Sequence, residues 1–62
     1  MKLFTCDEFD SAVSIAELQR ENADMNSDEM CEFVTKLNML CVNESAKFNF
    51  GAGGIFTFKR IQ

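Results

Sequence analysis

The spacing of apolar residues changes near residue 44. Upstream, Met30, Phe33, Val34, Leu37 and Leu40, with Cys41, recur at intervals of three and four, which places them on one face of a helix. They predict a buried stripe. Asp28, Glu29, Glu32, Thr35 and Lys36 take the solvated side, and Asn43-Glu44-Ser45 reads as the helix stop. Downstream the period is two: Lys47-Phe48-Asn49-Phe50 and Ile55-Phe56-Thr57-Phe58 alternate as strands do. Gly51-Ala52-Gly53-Gly54 joins them as a hairpin, through either a tight Ala-Gly turn or a four-residue loop, and both place Phe50 opposite Ile55. In that register Phe48, Phe50, Ile55 and Thr57 share one face, and Lys47, Asn49, Phe56 and Phe58 the other. One face then covers the helices and the other leaves Phe56 and Phe58 exposed, for a partner, for a second copy, or for Leu3-Phe4 folding across it.

Helix starts follow a repeated grammar, a capping residue with Glu three positions on and apolar residues at the flanking staple positions. Thr5 with Glu8, between Phe4 and Phe9, is the first, and Ser14 with Glu17, between Val13 and Leu18, is the second. Asn26 with Glu29, between Met25 and Met30, is the third. A single helix through residues 6–22 would put Phe9, Val13 and Ala16 on one side but Ile15 and Leu18 on the other. A break at Ser14 removes that conflict, giving helices over about 6–13 and 15–22. One continuous helix with Leu18 exposed is the alternative. The expected fold class is therefore α+β, three short helices followed by a C-terminal β-hairpin, in one domain over residues 1–62.

Composition narrows the chemistry. Seven Phe must supply much of the core of this 62-residue chain, since Trp, Tyr and Pro are absent. Without His the usual general base is missing, and neither a Gly-rich phosphate cradle before a helix nor a GxSxG elbow occurs, so an enzyme is not expected. Cys6, Cys31 and Cys41 form no CxxC pair and are odd in number, which reads as reduced thiols in a cytoplasmic protein, with no metal and no cofactor. No apolar run is long enough to span a membrane.

Charge is distributed unevenly. Residues 1–32 carry nine acids and two bases, and residues 33–62 one acid and four bases, giving a net charge of −4. An acidic balance of this kind disfavours general nucleic-acid affinity.

The order helix, Ser14-Ile15-Ala16-Glu17-Leu18, turn, longer helix and glycine-tipped hairpin resembles the winged helix-turn-helix family over nearly the whole chain. Met30, Phe33, Val34 and Leu37 are similar to the apolar positions of that family's third helix, and Lys47 to Phe50 with Ile55 to Phe58 to its wing. The resemblance implies DNA recognition by the start of the third helix. Two departures bear on that implication. The turn Asn22-Ala23-Asp24-Met25 lacks the family's usual Gly, and the helix start carries Ser27, Asp28, Glu29 and Glu32, which phosphates would repel.

The first functional expectation is a small regulatory or inhibitory protein, of the accessory kind that phages and plasmids encode, acting through protein–protein binding. Asp24, Asp28, Glu29 and Glu32, with exposed Phe56 and Phe58, would meet the partner, and the carboxylate row could mask or mimic nucleic acid. The second is a DNA-binding regulator, as a dimer, using Lys36, Lys47, Lys59 and Arg60 on phosphates. Four cations give a monomer only weak, salt-sensitive affinity.

Overall fold

In the computed structural model, which describes all residues from Met1 to Gln62, Leu3-Phe4-Thr5-Cys6 is a strand, β1 (Leu3–Cys6), whose residues alternate in burial. Phe4 is completely buried and Cys6 nearly so, while Leu3 and Thr5 face the other way. A helix starting at Thr5 would have left Phe4 outside it, so burial of the ring in the common core overrides the local capping pattern. The expected first helix over 6–13 is therefore absent, and so is the Thr5–Glu8 box. Asp7 turns the chain: its Oδ1 accepts from the Thr57 N–H and the Cys6 Sγ–H, both at 3.3 Å, and the Phe9 N–H donates to the Cys6 carbonyl at 3.0 Å. The Asp7 carboxyl is held below the usual aspartate range by the Cys6 thiol and the Thr57 amide, whereas burial pushes the Cys6 thiol up.

The break at Ser14 is where the pattern placed it. A two-residue strand, β2 (Val13–Ser14), leads directly into α1 (Ile15–Glu21). Ser14 Oγ accepts from the Glu17 N–H at 3.2 Å, and a Glu17 carboxylate oxygen accepts from the Ser14 N–H at 3.3 Å, so the capping box is complete. Asn22 ends the helix, its backbone and side-chain N–H groups both donating to the Leu18 carbonyl. A short turn leads to Asn26, which caps α2 (Ser27–Met39) by accepting from the Glu29 N–H at 2.8 Å. Phe33, Leu37 and Leu40 are buried and Met30 and Val34 half-buried, as the stripe requires. Cys41 is exposed, because the backbone is already extended at Leu40 and the last position leaves the helical face.

The hairpin pairs β3 (Ser45–Asn49) with β4 (Ile55–Arg60), and its register differs by one residue from the expectation. Asn49 lies opposite Ile55, Phe48 opposite Phe56 and Ala46 opposite Phe58. The cause is the loop. Five residues, Phe50 to Gly54, lie between the paired ends, with Gly51 and Gly54 in left-handed conformations (φ 64° and 94°) and a single 3-10 turn over Gly51–Gly53. The Phe50 N–H donates to the Gly54 carbonyl at 2.9 Å, and Asn49 Oδ1 accepts from the Gly51 N–H at 2.8 Å. A one-residue slip moves a whole strand's side chains to the opposite face. Phe48, Phe56 and Phe58 consequently share the inner face, while Lys47, Asn49, Ile55, Thr57 and Lys59 point outward.

The sheet is antiparallel throughout, in the order β2-β1-β4-β3, with Phe4 opposite both Val13 and Arg60. The Leu3-Phe4 segment thus joins the hairpin as a strand beside β4 instead of crossing its face. Both helices pack on the inner face, so the α+β class stands, but the three-helix, winged-helix-like plan is corrected to two helices on a four-stranded sheet. Residues 6–22 contain one helix, not two.

Phe33 is the hub of the core. Its ring meets those of Phe48, Phe50 and Phe58 edge-on at 5.2, 5.4 and 5.6 Å, and Phe50 meets Phe56 at 5.5 Å. Phe9 closes the cluster against Phe58 at 6.0 Å.

Candidate partner-binding surface

α2 begins in the acidic part of the chain, and its amphipathic pattern turns Asp28, Glu29 and Glu32 outward, as the sequence expects; Asp24 is exposed in the preceding turn. Glu29 is partly engaged, since its carboxylate is bonded by the Asn26 side-chain amide. Glu32 pairs with Lys36 one turn on, at 3.1 Å, with both side chains largely exposed. Asp24 and Asp28 take part in no side-chain hydrogen bond or ion pair.

The cations do not form one track. Arg60 is turned inward by the strand alternation and is used structurally: its guanidinium donates to the Leu40 carbonyl at 2.9 Å and to the Gln62 carbonyl at 3.0 Å. It satisfies a carbonyl that the end of α2 leaves free. Arg60 thus lies on the hairpin, as expected, with its guanidinium bonded to backbone carbonyls. Lys59 stands on the open outer face of the sheet, between Thr5 and Ser45 on the neighbouring strands. Lys36 and Lys47 border a shallow groove of about 300 Å3 between α2 and the free edge of β3, which Glu29 and Glu32 also line. Residues assigned by sequence to two different partners therefore meet in one groove of balanced charge.

The expected exposed aromatic face is absent. Phe58 is 2% exposed, a core ring, and Phe56 is half-buried on the same inner face, both because of the register. Phe56 nevertheless remains at the surface as one wall of a second, larger groove of about 470 Å3. The floor of this groove is the core itself, at Leu18, Phe33 and Phe58, and Phe9, Met25, Phe50 and Phe56 rise around it as half-buried walls. Asn22, Asp24, Asn26 and Glu29 supply the polar rim, and no Lys or Arg lines it. Met25, Glu29, Phe33 and Phe50 border both grooves, which are thus continuous.

Sequence reasoning did not place Phe9, Met25 or Phe50 at this surface. In the sequence pattern Phe9 and Met25 stand at the staple positions of helix starts, and Phe50 at a strand position. The available signal was Phe9 itself, a large ring flanked by Glu8, Asp10 and Ser11, where a loop would have to fold it back onto the core.

Burial raises the pKa of the Cys6 thiol, with Asp7 adding to the effect, and Cys31 and Cys41 are exposed free thiols. No three Cys, Asp or Glu side chains converge as metal ligands. No helix is long and apolar enough to cross a membrane. Comparison with protein-family models, with curated proteins and with solved structures gives no match to this chain.

Proposed function

We propose that this chain is a small, non-catalytic regulatory or inhibitory protein that acts by binding another protein, with Asp24, Asp28, Glu29 and Glu32 against a basic surface of that partner. One observation carries the reading. The start of α2 and the turn before it expose four carboxylates, of which Asp24 and Asp28 have no partner, Glu29 is bonded by the Asn26 amide and Glu32 is paired with Lys36, while of the other cations that would favour DNA Arg60 is committed to backbone carbonyls. Carboxylates at that position repel phosphate and attract Lys and Arg, so the natural target is a surface that itself binds nucleic acid, which this protein would mask.

One observation favours DNA instead: Lys47 and Lys59 both project from the helix-free face of the sheet. Two phosphate contacts supply little affinity, and Lys47 lines the smaller groove together with Glu29 and Glu32.

Selection of a random peptide library against the immobilised chain tests the protein-binding reading. Enriched peptides should be rich in Lys and Arg, and their retention should drop about tenfold or more on the Asp28→Lys, Glu32→Lys chain. Enrichment that ignores that double substitution would overturn it.

A further inference from the structure

We infer that the larger groove is an anchor site for a basic protein segment, taking one large apolar side chain between Phe9, Met25, Phe50 and Phe56 while Lys or Arg residues flanking that anchor meet Asp24 and Glu29. The inference rests on the protein-binding reading and names what the partner must carry.

Size and lining set the anchor. At about 470 Å3 the groove is comparable to sites that hold small molecules, far more than one water needs, and its floor is apolar core. Its walls suit a large side chain: Met25 has an adaptable side chain, and the Phe50 and Phe56 rings, packed edge-to-face on each other, both line it. These walls are half-buried in the free chain, so an inserted side chain completes their burial.

Charge sets the flanks. Both ionisable residues lining the groove, Asp24 and Glu29, are acidic. Asp28 lies on the adjoining turn, and the positive end of the α2 dipole is already matched by the Asn26 and Glu29 cap. An acidic anchor segment would be repelled, and an uncharged one would gain nothing from the rim carboxylates. A basic segment one or two residues either side of the anchor pairs with both. The position of the groove also makes it a continuation of the exposed carboxylates of α2, so a single stretch of partner can touch both.

The absence of a first helix is what leaves this site open. Residues 7–12, expected as part of a helix, form a turn instead, and only Phe9 returns to the core. The sheet and the two helices consequently meet without a third helix over Leu18 and Phe58.

The test uses the full chain and short fluorescent peptides in a Ser/Gly background: a central Phe flanked by Lys, the same peptide with Phe→Ser, and the same with Lys→Glu or Lys→Ser. Affinity by fluorescence anisotropy should be highest for the Phe/Lys peptide and about tenfold or more weaker for the Phe→Ser peptide. Binding should shift the backbone amide resonances of Met25, Phe50 and Phe56 in nitrogen-15 NMR spectra. Asp24→Lys, an exposed substitution that leaves the core intact, should weaken the Phe/Lys peptide and leave the Phe/Ser peptide unchanged. Equal binding of the Phe/Lys and Ser/Lys peptides would overturn the anchor site while leaving binding by the acidic face in place. Equal binding of the Phe/Lys and Phe/Ser peptides would overturn the basic flanks. Failure of every peptide on a folded chain, or concentration-dependent shifts of the same resonances without peptide, would overturn the assignment, the latter in favour of a second copy.

Discussion

Replacing Phe33 with Leu removes the hub of the aromatic cluster while keeping most of the buried volume. The ring makes three edge-on contacts, to Phe48, Phe50 and Phe58, between 5.2 and 5.6 Å. Each such pair contributes about 0.5–1.5 kcal/mol beyond area burial, so losing three costs about 2–4 kcal/mol. A chain of 62 residues has a total stability of about 3–9 kcal/mol, and the loss is therefore a large fraction of it. With an m-value of about 1 kcal/mol/M the urea midpoint should fall by about 2 M or more. Far-UV circular dichroism is the assay, because the chain has no Trp or Tyr to report by fluorescence. A double-mutant cycle with Phe48→Leu separates pair energy from cavity cost and should return a coupling of about 0.5–1.5 kcal/mol. A loss under about 0.5 kcal/mol for Phe33→Leu would refute the hub, since that is the range of a surface substitution.

Three further outcomes follow from local geometry. Ser14→Ala should cost about 1 kcal/mol in urea unfolding, because it removes a real cap, whereas Glu8→Gln, in a box that does not form, should change stability by less than about 0.5 kcal/mol. Asp7 has a lowered pKa in the fold, so its contribution is present above the ordinary aspartate value and fades as pH falls through the lower, folded value; Asp7→Asn should flatten the acid limb of a stability–pH curve there, and an unchanged limb would contradict the bonds to Thr57 and Cys6. Alkylation of the native chain with iodoacetamide at neutral pH should label Cys31 and Cys41 and spare Cys6, which is buried and has a raised pKa, with mass spectrometry giving the count; labelling of all three before denaturation would place Cys6 outside the core.

What could be read in advance divides by the range of the interactions involved. α2 follows from its own residues: a cap at Asn26, a stripe through Phe33 and Leu37, and a start and stop set within a few positions. The break at Ser14 is equally local, since two hydrogen bonds within four residues make it. The first strand is not local. Thr5 and Glu8 satisfy the grammar of a capping box, and only pairing with β4, more than fifty positions along the chain, tells Phe4 to enter the core as part of a strand. The hairpin was legible as two strands, but its register depended on a five-residue loop in which Phe50 belongs to the turn. That single residue changed the site: it moved Phe56 and Phe58 from an open face to the core side, leaving Phe56 as a groove wall. The carboxylates of α2 were legible because exposure on a helix follows from periodicity; the groove beside them was not, because its walls come from four separate segments.

The most direct measurement of what this chain recognises is a fluorescence-anisotropy titration of random duplex DNA at about 50 and 200 mM salt, alongside the Phe/Lys peptide under the same conditions. The account predicts peptide binding and no DNA binding at either salt concentration. DNA binding that weakens steeply between the two concentrations would contradict it, and would make Lys47 and Lys59, rather than the carboxylates of α2, the residues that meet the partner.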